Sequence, residues 1–198
     1  MAEITAQAVN EFRKKTGLGL MECKALLKEA DGDLAKADTL ARERGLKKAE
    51  LRAGRAAKAG RIEFYIHHDA KSGVMVELNC ETDFVARNDE FKQLAKDLAL
   101  HIMAANPLYV RREDVPEEIV AEQKRIFIAQ VADKPQNIQE KIAEGKLNAW
   151  YGESVLMDQP FVKEDTKSIR EVILAVNSRT GENISVARFA RFVVGEGR

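Results

Sequence analysis

The sequence predicts an α+β fold: an N-terminal three-helix module, then a core in which a small antiparallel sheet packs on helices. Three observations predict it. Residues 5–45 carry apolar side chains at helical spacing. Residues 62–66 and 74–80 alternate apolar and polar side chains on either side of a turn-forming segment, 69–73. Helical patterns then fill the chain up to a final segment, 184–194, that is rich in β-branched and aromatic residues.

The N-terminal module is predicted to hold three short helices. Thr5 is suited to cap the first helix, and Gly17 to end it. The second runs from about residue 20 to residue 30, and Asp33 caps a third that ends at Gly45. A bundle of this size has a small core and limited stability alone.

Residues 47–61 form a basic segment that we interpret as a linker. One interpretation of its charge is contact with phosphate or nucleic acid. The other, which we favour, is an alanine-rich connecting helix with solvated charges, because no aromatic side chain interleaves to stack a base. Its basic residues are Lys47, Lys48, Arg52, Arg55, Lys58 and Arg61, against Glu50 alone.

The chain changes from strand period to helix period between Glu81 and Asn88. Thr82 or Asp83 is suited to cap a short turn there, and Asn88 to cap the long helix behind it. Phe84 lies at this junction with charged residues on both sides. It has two interpretations, a lid on the local core or an aromatic presented to a partner.

Further helices are predicted in the second half of the chain. The long helix that begins at Asn88 ends near Asn106-Pro107. A capping box at 114–117 starts the next, which is expected to turn an apolar side inward. Another runs from 134–135 towards 150–151, and a last one covers 169–176, after an irregular extended segment at 156–162. The residues expected on the inward side of the helix after Pro116 are Ile119, Gln123, Ile126, Phe127 and Gln130.

Composition narrows the classes of function. The 198 residues include 32 basic and 32 acidic side chains, which gives no general attraction to nucleic acid or to anionic membranes. Two distant cysteines outside any Cys-x-x-Cys pair favour a reducing compartment. The sequence shows neither a signal-peptide pattern nor an apolar run of about 18 residues that would span a membrane. We therefore expect a soluble, cytoplasmic protein without a membrane partner.

Catalytic and metal-binding motifs are missing from the sequence. It has no phosphate-binding loop, dinucleotide fingerprint, nucleophile elbow or His-Glu-x-x-His. His67 and His68 are adjacent on a predicted strand, so we expect them to point to opposite faces and not to share a metal. His101 is isolated, and Cys23 and Cys80 lie in apolar patterns typical of core residues. We expect no enzyme activity, no cofactor and no metal site.

Four motifs resemble signatures of the elongation factor Ts family, the guanine-nucleotide exchange factors of elongation factor Tu. The motifs occur in family order across nearly the whole chain. They are Thr-Gly-Leu-Gly-Leu-Met-Glu-Cys-Lys at 16–24, Thr-Asp-Phe-Val-Ala-Arg-Asn at 82–88, Gln-Pro-Phe-Val at 159–162, and Arg-Phe-Ala-Arg-Phe-Val-Val-Gly-Glu-Gly at 188–197.

The resemblance implies a function by binding alone, in which the chain promotes release of GDP from elongation factor Tu. The segment Thr82, Asp83, Phe84 and Val85 would disturb the magnesium site of that partner. Phe84 would act as a wedge and Asp83 would help to displace groups around the ion.

The resemblance also implies a recruiting surface on the N-terminal module, which would be ubiquitin-associated-like. Its residues would be Leu18, Leu20 and Met21, with Arg13 nearby, although at least one of Leu20 and Met21 is expected to pack the bundle instead. His67 and His68, together with the hairpin beside them, would form part of the contact that the core makes with the partner.

The expected organisation is two domains, residues 1–54 for the module with its basic linker and 55–198 for the exchange core. Long members of the family carry a duplicated core, whereas this chain has one hairpin-plus-helix unit and resembles the short form. We therefore expect a homodimer that pairs through the segment 184–194. The alternative function is a nucleic-acid or ribosome-associated adaptor that uses the basic linker, although no direct nucleic-acid partner is expected.

Overall fold

The computed structural model describes residues 4–52 and 54–196 and confirms the α+β class. The side chains at 46 and 48–50, and so those of Lys48 and Glu50, lie outside the described residues. The elements are α1 (Ala6–Thr16), α2 (Leu20–Glu29), α3 (Leu34–Arg52), β1 (Ala59–Ile66), β2 (Ser72–Cys80), α4 (Asp83–Arg87), α5 (Asp89–Ala105), α6 (Glu117–Ala129), α7 (Gln136–Ser154), β3 (Pro160–Phe161), β4 (Glu164–Ser168), α8 (Ile169–Thr180) and β5 (Ser185–Val193).

The three helices of the N-terminal module begin where the sequence predicts. Thr5 Oγ1 accepts a hydrogen bond from the Ala8 amide at 3.2 Å, and Gly17 ends α1 in the left-handed region at φ 71°. Asp33 Oδ1 accepts from the amide of Ala35 at 2.8 Å and so caps α3. The three helices enclose a small separate core of Val9, Phe12, Cys23, Leu26, Leu27, Ala30 and Ala37.

The prediction that the third helix ends at Gly45 is wrong, because α3 continues to Arg52. Gly45 is buried where α3 crosses α8, and a Cβ atom there would lie 2.9 Å from Ser178 Oγ. The glycine therefore permits close helix packing and does not stop the helix. Arg52 also donates to the carbonyl of Asn177 at 3.5 Å. The N-terminal module is thus packed on the core through α3 and α8.

The main sheet has the strand order β1–β2–β5, and both pairings are antiparallel. Val74, Val76 and Leu78 of β2 point to one face, where they meet the buried side of α5. Asn88 caps the start of α5, and the helix ends at Asn106, before Pro107, as predicted. The final strand, predicted at 184–194, is β5.

The opposite face of this sheet is largely apolar, and none of the described elements covers it. Phe64 on β1 lies beside Met75 on β2, and Phe192 on β5 lies beside Gly73. The side chains of Phe64 and Phe192 are 65% and 69% exposed. Further exposed apolar residues on or next to these strands are Ile62, Ile66, Met75 and Val194.

The helices α6 and α7 form a hairpin that buries few side chains. The prediction of an inward side on α6 is wrong, since α6 buries no residue and Ile119 and Ile126 are exposed. Its neighbour is α7, which itself buries only Ala143 and Ser154. The predicted capping box is wrong as well. Asp114 instead closes a 3₁₀ turn by accepting from the Arg111 amide at 2.9 Å.

The segment predicted to be irregular, 156–162, contains a 3₁₀ turn and the first strand of the short hairpin β3–β4. Beneath it, His101 Nδ1 accepts from the Val162 amide at 3.3 Å, so Nε2 carries the proton and donates to Gln159 Oε1 at 3.0 Å. Burial lowers the pKa of His101. Gln159 in turn donates to the carbonyls of Ala105 and Glu153. Among the described helices, none is long and apolar enough to cross a membrane.

Candidate partner-binding site

The segment 82–85 forms the start of a single helical turn at the end of β2. Thr82 is extended, with φ −131° and ψ 153°, and its Oγ1 accepts from the Val85 amide at 3.4 Å. The turn ends at Asn88, whose Oδ1 accepts from the Glu90 amide at 2.9 Å and so starts α5. Two caps therefore fix a helix of only five residues, in the places the sequence predicts.

The short helix α4 turns its aromatic residue away from the protein. Ala86 is buried, and Val85 packs partly against the main core. Phe84 is 89% exposed, and Asp83 beside it is exposed as well. Phe84 is therefore not a lid on the local core. A phenylalanine held in solvent on a fixed turn is the arrangement expected of a side chain that inserts into a partner.

The thiol of Cys80 lies directly behind this turn but is not a nucleophile. Its Sγ donates to the carbonyl of Thr82 at 3.2 Å. Burial, together with the charge of Glu182, raises the pKa of Cys80 to about 11. The group is therefore a protonated structural thiol at neutral pH. Among the described residues, no three His, Cys, Asp or Glu side chains are grouped closely enough to hold a metal ion.

The loop between α1 and α2 presents a second apolar surface. Leu20 is 49% exposed and Met21 is 76% exposed, whereas Leu18 packs partly against the module's core. The expectation that Leu20 or Met21 packs the bundle is therefore wrong, since Leu18 takes that place. Arg13 is exposed in the last turn of α1, near the start of this loop.

One side chain links this loop to the start of α5. A Cβ atom on Gly17 would lie 2.5 Å from Cδ of Arg179 on α8, so the loop and the arginine are in direct contact. The guanidinium of Arg179 forms an ion pair with Glu90, in the first turn of α5. The loop of the module and the helix that follows Phe84 thus share a contact on α8.

The two adjacent histidines differ from their predicted arrangement. They follow β1 in a turn and not within the strand, so their ring centroids come within 4.3 Å of each other. The expectation that they point to opposite faces is wrong for this reason. Ile66 pairs with Gly73 at the turn, whereas Cys80 pairs with Ala59 at the other end of the hairpin. At a rise of about 3.3 Å per residue, the histidines are on the order of 20 Å from Thr82.

The described part of the basic segment is not an open cationic stripe. Three of its arginines are engaged by the protein itself: Arg52 with the Asn177 carbonyl, Arg55 with Glu81 at 3.5 Å, and Arg61 with Glu63 at 2.8 Å. These contacts give no support to the nucleic-acid interpretation.

Sequence reasoning missed the residues that hold the segment 82–85 from the opposite side. Glu182 and Asn183 lie just after α8 and contact Glu81 and Thr82. In the sequence they follow Gly181 and are typical of a helix end. A partner about a hundred positions away leaves no periodic signal.

Comparison with known proteins gives one consistent result. Residues 45–196 match the family model described as Elongation factor TS. The chain is 53% identical to Elongation factor Ts of Anaeromyxobacter sp. (strain Fw109-5), across 100% of this chain and 91% of that protein. It is also 53% identical to Elongation factor Ts of Thermodesulfovibrio yellowstonii, across 98% of this chain and 97% of that protein. For Elongation factor Ts of Thermotoga maritima the identity is 48%, across 98% of both chains.

Proposed function

Because the chain belongs to the elongation factor Ts family and is thus a translation elongation factor, we propose that it promotes exchange of GDP for GTP on elongation factor Tu. The observation that carries the proposal is Phe84, an aromatic side chain held in solvent on a doubly capped turn. The proposed activity makes and breaks no covalent bond, and it needs no cofactor from this chain.

Exchange of this kind is a coupling between two binding reactions. A protein that binds nucleotide-free elongation factor Tu more tightly than the GDP complex must lower the affinity of elongation factor Tu for GDP by the same ratio. The contacts have to compete with the magnesium and phosphate site, where the ion is the dominant local charge. Phe84 supplies the apolar wedge for this competition. Asp83 supplies a negative charge that perturbs the groups around the ion.

The N-terminal module supplies capture in this proposal. Met21 and Leu20 form an exposed apolar surface on a helix start, and a methionine adapts readily to a partner surface. Arg13 and the partly buried Leu18 flank it. His67 and His68, at the far end of the hairpin, would add a separate contact with the partner from the exchange core of this chain.

The test is release of fluorescent GDP from elongation factor Tu in excess unlabelled GDP. The chain is added at a concentration well below that of elongation factor Tu. We expect each molecule of this chain to release many GDP molecules, and the release rate to rise with its concentration. No acceleration above the spontaneous rate would overturn the proposal.

Salt dependence separates this function from the adaptor that uses the basic segment. Binding through phosphate contacts weakens steeply as salt rises, because counterions are released. An apolar wedge depends much less on salt. We expect the affinity for elongation factor Tu to change little between 50 and 200 mM salt, and binding to RNA at 150 mM salt to be undetectable at micromolar concentration.

We also propose that the protein is a homodimer that pairs through the outer face of the β1–β2–β5 sheet. An antiparallel sheet with one covered face normally alternates to polar residues on the other. Here that face carries Phe64, Met75 and Phe192 instead, with Glu77 and Arg188 paired beside them at 2.8 Å. A twofold contact brings the same patch of both copies together, so the patch has to suit itself. A mainly apolar face whose charges are balanced meets that requirement. Two such sheets would pack face to face.

Sedimentation at micromolar concentration tests the dimer. We expect a species of about twice 22.1 kDa for the natural chain. Phe64→Glu, on strand β1 of this face beside Met75, should give a monomer. The matched control is Leu108→Glu, an exposed apolar residue outside the sheet, which should leave the dimer intact. A natural chain that sediments as a monomer would overturn the pairing.

A further inference from the structure

We propose that Glu182 is a positioning residue for exchange, which fixes the direction in which Phe84 is presented. This inference rests on the proposed function. Among the described hydrogen bonds, those of Glu182 reach Glu81 and Thr82 and not Phe84. It acts through Thr82, the residue that caps α4.

The carboxylate of Glu182 accepts three hydrogen bonds from the end of β2. The amides of Glu81 and Thr82 donate to its Oε2 at 3.1 and 3.0 Å. The hydroxyl of Thr82 donates to its Oε1 at 2.5 Å. Both carboxylate oxygens are therefore used, and hydrogen bonds to a charged acceptor are stronger than those between neutral groups.

The contact is reciprocal, so it fixes both backbones. Glu81 Oε1 accepts from the amide of Asn183 at 2.7 Å. The side chain of Asn183 donates to the carbonyl of Arg55 at 3.0 Å, and Arg55 forms an ion pair with Glu81. Residues 81–82 and 182–183 thus exchange carboxylate-to-amide hydrogen bonds in both directions. We call these four residues the clasp.

The clasp supplies order that α4 lacks on its own. A helix of five residues has too few internal hydrogen bonds to be stable by itself. The Thr82 hydroxyl both accepts from the Val85 amide and donates to Glu182, so the cap of α4 is anchored to the chain after α8. Gly181, in the left-handed region at φ 76°, turns the chain so that Glu182 faces the end of β2.

The clasp is expected to affect the rate of GDP release and not the capture of elongation factor Tu. A wedge that is already ordered does not have to be ordered when it enters the partner. Without the clasp, Phe84 would still be present but would sample several directions. The capturing residues Leu20 and Met21 lie on the N-terminal module and make none of the clasp's contacts. Loss of Glu182 should therefore lower the maximal release rate and leave the half-saturating concentration nearly unchanged.

The experiment measures both quantities for Glu182→Ala, with rates normalised to the folded fraction. We expect the maximal rate to fall about tenfold, which corresponds to about 1.4 kcal/mol. The half-saturating concentration should stay within about twofold of that of the natural chain. Glu182→Gln should recover most of the rate, because an amide oxygen still accepts from the two backbone amides. The matched control is Glu164→Ala, which removes an exposed ion pair with Lys167 and should change neither quantity.

Two further measurements separate positioning from a general loss of stability. In a Phe84→Ala background, Glu182→Ala should cause no further loss of rate, since it acts through the missing ring. Additive losses, or an unchanged maximal rate in Glu182→Ala alone, would overturn the proposal. If Glu182→Ala does not fold, Glu182→Asp decides in its place. Its shorter carboxylate cannot satisfy all three donors, so an undiminished rate would be contrary to the proposal.

Failure of the proposed function would be visible separately. If the natural chain does not release GDP at all, the exchange proposal is wrong whatever Glu182 does. The clasp is then tested without a partner, by hydrogen exchange at the amides of Glu81 and Thr82. Glu182→Ala should speed exchange at these two amides about tenfold or more, at 1.4 kcal/mol per factor of ten, while amides in the middle of α5 stay protected. Unchanged protection at both amides would overturn the clasp.

Discussion

At the scale of single residues, two phenylalanines seven positions apart have opposite environments. Phe84 extends into solvent from α4, whereas Phe91 in the first turns of α5 is fully buried in the main core. The sequence around them predicts both elements but left Phe84 with two interpretations. Helical periodicity identifies a residue such as Phe91, which repeats with its neighbours, but a single turn is too short to define a buried side.

These two residues give a matched pair of substitutions. Phe84→Ala should leave the thermal midpoint unchanged and lower GDP release at least about thirtyfold, because a central aromatic anchor is worth about 2 kcal/mol or more. Phe91→Ala should cost about 3–5 kcal/mol of unfolding free energy through the cavity it leaves. Exchange assays and thermal unfolding of both variants check this. A Phe84→Ala protein that melts early and exchanges normally when folded would contradict it.

His101 gives a prediction about pH. Burial lowers its pKa in the folded protein, while in the unfolded chain the imidazole titrates near 6.5. As the pH falls through about 6.5, the unfolded state takes up a proton on His101 before the folded state does. The contribution of His101 to the free energy of unfolding is therefore complete above that pH and is lost as the pH falls. Urea unfolding at pH 7.5 and 5.5 should show stability decreasing towards acid. His101→Gln should reduce that decrease, and an equally steep decrease in the variant would contradict the assignment.

At the scale of elements, prediction succeeded where a capping residue and the apolar repeat behind it indicate the same helix. Asn88 at the start of α5 and its apolar repeat both specify the same helix, and the structure has it. It failed at Gly45, because a glycine that ends a helix and one that admits a neighbouring helix look alike in a sequence. It failed again on α6, because that helix packs chiefly on α7 and this contact leaves apolar residues such as Ile126 exposed.

The N-terminal helices give a prediction about capture. Leu20→Ala combined with Met21→Ala should weaken binding to elongation factor Tu about tenfold or more, since two exposed anchors are lost, and should leave the thermal midpoint unchanged. Leu26→Ala, in the buried core of the same module, should instead destabilise it by about 2–5 kcal/mol. Titration of labelled elongation factor Tu measures the affinity. Unchanged affinity in the double variant would refute the recruiting surface.

At the scale of the whole molecule, the division into residues 1–54 and 55–198 stays a prediction. The two parts have separate cores, which favours the division. The packing of α3 on α8 and the contact of Gly17 with Arg179 nevertheless join them. Patterns along a sequence predict the separate cores, but a contact between Gly17 and a residue 162 positions later depends on the assembled surface.

Substitutions at two glycines test how tightly the N-terminal module packs on the core. Gly17 and Gly181 have nearly the same left-handed backbone, at φ 71° and 76°, so an alanine carries a similar backbone strain at each. Only at Gly17 does the added Cβ meet a neighbour, Arg179, whose movement would disturb its ion pair with Glu90. Gly17→Ala should therefore lower the unfolding free energy by about 1 kcal/mol more than Gly181→Ala. Equal losses of unfolding free energy in the two variants, measured by chemical denaturation, would mean that the module packs loosely on the core.

We expect the hairpin of α6 and α7 to separate from the rest of the molecule more readily than the sheet and α5 do. Opening it exposes little apolar surface, because α6 buries no side chain and α7 buries only two. Its opening free energy is accordingly a small fraction of that of the sheet and α5. A protease that cuts between the helices, at 130–135, would meet this open form long before the core unfolds. The nicked chain would keep its sheet, its clasp and Phe84 in place, as two fragments that still behave as one protein.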